Sequence, residues 1–283
     1  MRLCLSNIPT RHFNVSFEGT TWMTISADDE EAIGLEGLLA SMATEKERLN
    51  WKTKWTTDTD KTSKSSASVL NNAAPPYSRC RKILGIGLNY RAHADDLGAN
   101  YPTSPASFFK GDHTIIGPNE NIVLPEISKR VTSEAELGLV IGLPCYKVSE
   151  KEALRYVAGI CPILDQTAED ILQENPRFLT RAKNFPTFFS FGPELVSLDE
   201  AGELAELTVA TYHNGSLVRS NIVRNMLFSP QYLVAFHSQV MPLYPGDIIS
   251  TGTPGAVVIQ SNDTVECRID GLATLTNSVV GPN

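Results

Sequence analysis

Apolar positions along this chain recur most often at every second residue, in short runs broken by Gly, Pro, Asn and Asp. That spacing is the mark of strands joined by tight turns. The clearest run is 133–142: Ala135, Leu137, Leu139 and Ile141 fall on one face, with Glu134, Glu136, Gly138, Val140 and Gly142 on the other. Lys82 to Leu88, Ala106 to Phe109, Ile122 to Leu124, Ile160 to Leu164 and Ile248 to Thr251 read as further strands. Leu207 to His213 and Leu217 to Ser220 flank Asn214-Gly215, a pair suited to a two-residue hairpin turn. Val265 to Ile269 and Ala273 to Ser278 predict a second hairpin around Asp270-Gly271.

Helical spacing is rarer. It predicts helices over Glu150 to Val157 with Ser149 as cap, from Thr167 to Gln173, and over Ser229 to Val240 with Pro230 in the first turn. Near the N-terminus, Phe13 to Phe17 and Thr21 to Ile25 form a hairpin pattern. A helix follows, capped by Ser26 or Asp28 with an acidic first turn, Asp28 to Glu31, and an apolar stripe of Leu35, Leu38, Leu39 and Met42. The fold class is therefore α+β and β-rich. A small N-terminal α+β domain at 1–52, a linker at 53–78 rich in Ser, Thr and Lys, and a body at 79–283 are the expected divisions.

Composition narrows the partners. With 24 Lys+Arg against 32 Asp+Glu the net charge is −8, which argues against a nucleic-acid face. Cys4, Cys80, Cys145, Cys161 and Cys267 form no C-x-x-C pair, as expected of reduced thiols in a cytoplasmic setting. No apolar run approaches membrane-spanning length, and the first residues lack a signal-peptide pattern, so a soluble protein is expected.

Three spots carry candidate chemistry. Glu134 and Glu136 sit at i and i+2 on one strand face, where two carboxylates repel unless a hard divalent cation or a shared proton relieves them. His93 and Asp96, at i and i+3 on a short helical segment, can pair as imidazole and carboxylate. Asp165, at the expected end of an apolar strand, serves either as a helix cap or as a third oxygen ligand. Lys183 falls in an expected loop, and Thr251-Gly252-Thr253-Pro254-Gly255 is a tight loop suited to close approach of a ligand. Gly85-Ile86-Gly87 lacks the third glycine of a dinucleotide fingerprint, since Tyr90 stands there.

In this order the segments resemble the fumarylacetoacetate hydrolase (FAH) family over about residues 81–280. The matching stretches are Gly87-Leu88-Asn89-Tyr90-Arg91-Ala92-His93, Phe109-Lys110, Glu134 through Gly142, Leu164-Asp165 with Thr167-Ala168, Arg181 through Phe185, Met226 through Ser229, and Pro245 through Pro254. The resemblance implies rolled mixed β-sheets, a homodimer, and one divalent ion, Mg²⁺ with Mn²⁺ or Ca²⁺ as alternatives. It implies Glu134, Glu136 and Asp165 as metal ligands, His93 with Asp96 as a water-activating pair on a lid segment, and Lys183 in catalysis. Lys183, Thr253, Tyr90 and Glu169 are the implied substrate contacts. The implied reaction is hydrolytic C–C cleavage of a 1,3-dicarbonyl substrate. Decarboxylation or keto–enol tautomerisation of a 2-oxo acid is the alternative, and a catalytically idle metal-binding member a third. Asp96 stands where the family often has Glu, Glu169 where it has Arg, Leu172 where it has Gln, and Pro186 where it has Asp. These departures predict a substrate outside the common acylpyruvate and oxaloacetate set, such as a larger polyketide-like dicarbonyl.

Overall fold

The alternation at 133–142 becomes one strand, Val131–Ile141, paired antiparallel along its length with Val157–Ala168. The structure is a computed structural model that describes residues 1–5, 12–16, 21–26, 34–46, 48–49, 64–65, 82–96, 98 and 100–282. In it these two strands are the centre of a 13-stranded mixed sheet. Ile248–Ser250 and Ala256–Ile259 both pair with the other edge of Val131–Ile141, and the chain between them leaves the sheet as a loop at 251–255. Ile83–Gly87 lies parallel to Ile248–Ser250, and Ala106–Lys110 closes that side. A second sheet of five strands runs Ser216–Ile222, Thr208–His213, Thr264–Ile269, Leu275–Val280, Asn121–Val123.

Period two decides where the core sits. Ala135, Leu137, Leu139 and Ile141 bury into the main core with Val209, Val265, Ile269 and Leu275 of the second sheet. On the other face Val140 joins Ile163, Phe189, Phe191 and the N-terminal Met1, Leu3, Leu38, Leu39 and Met42 in a second core. Burying such side chains stabilises by about 1.5–3 kcal/mol each, so both faces of the central pair are anchored. The N-terminal piece thus shares a sheet and a core with the body: Arg2–Leu5 pairs with Leu195–Val196, and helix Gly34–Ala43 lies on Gly142. A Cβ at 142 would come within 2.5 Å of the Leu39 carbonyl oxygen, so the helix packs this closely only against a residue with no side chain.

The turn chemistry reads through. Asn214 and Gly215 take φ of 50° and 77°, the double left-handed turn that the right-handed twist of a hairpin favours. Ser229 caps helix Pro230–Val240, its Oγ accepting from the Tyr232 amide at 3.1 Å. Ser229→Ala should therefore lower stability by about 1 kcal/mol in urea unfolding; an unchanged midpoint would count against this cap.

Other expectations are corrected. Between Glu150 and Val157 only a 3-10 turn forms, Ala153–Tyr156, and Ser149 turns its hydroxyl to Glu152 at 3.2 Å without capping it. The apolar strand does not stop at Leu164 but continues to Ala168, because ladder pairing with Val131–Ile141 continues. Helix Glu169–Glu174 follows two residues later than expected, and Lys183 ends helix Leu179–Lys183 instead of lying in a loop. The acidic run Asp28 to Glu31 and nearly all of 53–78 lie outside the described residues. Cys145, Cys161 and Cys267 are buried and form no disulfide among the described residues. Among the described residues no helix is long and apolar enough to cross a membrane.

Candidate active site

Asp165 stands mid-strand directly across the ladder from Glu134, and Ile163 across from Glu136. Glu134, Glu136 and Asp165 therefore converge from two neighbouring strands, each offering an oxygen within 4.8 Å of the others. Gly138 follows the two glutamates on the same face of the strand. The space beside it is filled by Ile163 and Cys161, so the carboxylates rest on an apolar base. Glu136 is fixed from the far edge, where its Oε2 accepts from Ser250 Oγ at 2.5 Å and from the Gly252 amide at 2.8 Å. Gly252 presents that amide at φ +95°, a conformation L side chains rarely adopt. Glu134 Oε1 accepts from Thr167 Oγ1 at 2.8 Å and Thr132 Oγ1 at 3.4 Å.

Two lysines answer the negative charge. Lys183 Nζ reaches Asp165 Oδ2 at 2.6 Å and Glu134 Oε2 at 3.0 Å. Lys110 Nζ reaches Asp165 Oδ1 at 2.5 Å and the Gln166 carbonyl at 3.3 Å. With all five groups ionised, three carboxylates against two ammonium groups leave one net negative charge. Burial works against every one of them, and the neighbours decide the outcome. Glu136 is pushed up to about 8 by burial, then by the charges of Asp165 and Glu134. Asp165 is also raised by burial, but Lys110 and Lys183 outweigh this and hold it below the usual carboxylate range. Lys110 is drawn down to about 8 by burial. For Lys183, burial is overcome by Asp165, Glu134 and Glu136, which keep it firmly protonated. Lys110 was legible only as part of a motif. Nothing in its spacing marked it as the second counter-charge.

A cleft of about 310 Å³ reaches the cluster at Glu134 and Lys183, while Glu136, Asp165 and Lys110 lie behind its wall. Lys183, Glu134, His93, Thr253 and Glu169 all line it. His93 is buried on helix Arg91–Asp96, and burial holds its ring below the ordinary imidazole value, hence neutral near pH 7. Its expected partner is elsewhere: Asp96 Oδ2 meets Arg219 Nε at 3.4 Å, and no His93–Asp96 hydrogen bond forms among the described residues. A guanidinium is a stronger partner for a carboxylate than a neutral ring. Thr253 Oγ1 is engaged with Gly255, donating to its carbonyl at 3.1 Å and accepting from its amide at 3.2 Å. Glu169 pairs with Arg130. Tyr90 is 0% exposed and is not among the residues that line the cleft. Burial and the nearby Glu136 charge keep its phenol protonated.

A family model of the fumarylacetoacetate (FAA) hydrolase C-terminal region matches residues 82–280. The chain belongs to the fumarylacetoacetate hydrolase family. Among relatives, the mitochondrial oxaloacetate tautomerase Fahd2a of Rattus norvegicus is 34% identical over 213 residues, 72% of this chain and 68% of that protein. A 5-carboxymethyl-2-hydroxymuconate delta-isomerase from Mycobacterium smegmatis superposes over 100% of both chains at 29% identity, TM-score 0.75. A fumarylpyruvate hydrolase from Pseudomonas aeruginosa, crystallised with Mn²⁺ and pyruvate, covers 71% of this chain and 90% of its own at 25% identity, TM-score 0.67.

For this member of the FAH family, the donor set itself tests the fit of a metal. Three carboxylates converge within reach of one ion, and the set contains no thiolate or imidazole. Hard oxygen donors of this kind suit Mg²⁺, Mn²⁺ or Ca²⁺. The fit is good, since a divalent cation would favour the ionised form of Glu136 that burial and its two acidic neighbours otherwise oppose.

Proposed function

We propose that this protein catalyses metal-dependent enolate chemistry on a small 2-oxo acid with a second carbonyl at C4, and hence a 1,3-dicarbonyl unit, with keto–enol tautomerisation as its reaction. The observation that carries this reading is the separation of His93 from Asp96. A neutral imidazole that burial holds below its ordinary value, and that has no hydrogen bond from Asp96 to orient it, is a weak base for water, whose pKa is 15.7. Carbon flanked by two carbonyls is far more acidic than water, so the same ring suffices there.

An ion held by Glu134, Glu136 and Asp165 would polarise a substrate carbonyl and offset charge as the enolate develops. Lys183, kept protonated by three carboxylates, holds a fixed positive charge at the cleft wall and need not reorganise during the reaction. His93 takes the carbon proton on one ring nitrogen and returns it to the opposite end of the dicarbonyl unit. Apolar walls at Ile86, Phe108 and Leu172 limit water around the exchanged proton. The tautomerase relative supports the same chemistry. Hydrolytic C–C cleavage, the reaction first expected from the resemblance, is the second reading, supported by His93 on the cleft wall and by the hydrolase relative. A homodimer is proposed as the working unit.

The test follows enol absorbance while products are separated, with EDTA and with Mg²⁺ or Mn²⁺ restored. Loss of absorbance without new fragments is the expected result. Two fragments would transfer the assignment to a hydrolase, released CO₂ to a decarboxylase, and no change at all to an idle member.

A further inference from the structure

The floor of the cleft is the ladder between Val131–Ile141 and Val157–Ala168, and its rungs change character along its length. At the inner end Asp165 stands across from Glu134, and one step outward Thr167 stands across from Thr132. Past the last rung, Glu169 and Arg130 meet as an ion pair. Asp165 and Glu169 are thus separated by about 13 Å of mostly extended chain. Both threonine hydroxyls turn inward to Glu134. The one ammonium on the cleft wall among the described residues, Lys183, and the neutral His93 ring both lie within the field of Glu134 and belong to the inner end.

Glu169 is different. Its side chain is 17% exposed and lines the cleft, whereas Arg130 is 50% exposed and is not among the lining residues. Water screens the arginine more than the carboxylate it faces. Around Glu169 the walls are Leu172 and Leu179, with uncharged Gln173. A substrate whose reacting end sits over the carboxylate cluster would therefore extend its far end toward a negative charge.

We propose that Glu169 sets substrate choice. The outer end of the cleft rejects a second carboxylate and accepts an uncharged terminus, apolar or hydrogen-bond-donating. The substrate is then a 1,3-dicarbonyl acid charged at one end only. This rests on the enolisation reading of the cleft and narrows it.

The test compares two 2,4-dioxo acids of equal length, one ending in methyl and one in carboxylate, with the Mn²⁺-loaded protein. The readout is the ratio of their kcat/KM values, so a general loss of activity cancels. The parent should favour the methyl-ended acid by about tenfold, and Glu169→Gln should shrink this to about threefold or less. Glu169→Arg should reverse the preference, and Arg130→Ala should widen it. A parent that favours the carboxylate-ended acid overturns the proposal. So does an Arg130→Ala variant that selectively loses that acid, because Arg130 would then be its receptor. Thermal shift with the same two acids separates this from the reaction itself. Preference in binding without turnover sinks only the enolisation reading. Turnover with a ratio that Glu169→Gln leaves unchanged sinks only the role of Glu169. An Mn²⁺-loaded protein that binds neither acid sinks both.

Discussion

Asp165→Asn should reduce metal-dependent turnover by roughly 10²–10³-fold and destabilise the metal-free protein by about 3–5 kcal/mol. The two losses share a cause. Asp165 receives Lys110 on one oxygen and Lys183 on the other, with all three side chains nearly excluded from water. An amide of the same shape carries no charge, so it leaves two buried ammonium groups without their main partner. Removing one member of such a set costs more than removing both sides of a pair. Asp165→Asn combined with Lys110→Met should therefore regain much of the stability and none of the turnover. Urea unfolding and calorimetric Mn²⁺ titration measure the two effects separately. If Asp165→Asn bound Mn²⁺ within tenfold of the parent, the ligand assignment would be wrong.

Lys183→Met should move affinity and rate in opposite directions. Its ammonium lies against Glu134 and Asp165, two of the three proposed ligands, and opposes a second cation there. Deleting that charge leaves the cluster more negative, and Mn²⁺ should bind about tenfold tighter. Turnover should nonetheless fall by roughly 10²–10³-fold, because a preorganised positive charge near the developing enolate is lost. Calorimetry gives the affinity, and the enol absorbance assay gives the rate. A variant weaker in both would make Lys183 a structural prop. A variant with full turnover would remove it from the mechanism.

Local chemistry was legible wherever short-range geometry governs. The Asn214-Gly215 turn, Pro230 in the first turn of its helix and the shared face of Glu134 and Glu136 each depend on a few consecutive residues, and each is found as expected. Legibility failed where a distant segment competes. His93 and Asp96 have the spacing of a pair, yet Arg219, from a strand of the other sheet, takes the carboxylate. Tyr90 shares the segment with His93 but faces inward, since one residue per few on a short helix edge must meet the core. The helical period from Glu150 yields only a 3-10 turn at Ala153–Tyr156, because Val157 is already taken into the ladder strand Val157–Ala168.

Most strands, their turns and the face on which two acidic side chains stand could be read along the chain, because period two and turn residues are written in neighbouring positions. That Asp165 stands opposite Glu134, that Lys110 and Lys183 arrive from separate segments, and that Glu169 overlooks the same cleft depend on how distant strands pack. Ladder register between strands is set by the cores packed on both of their faces, an interaction summed over the whole molecule that no single stretch of chain contains.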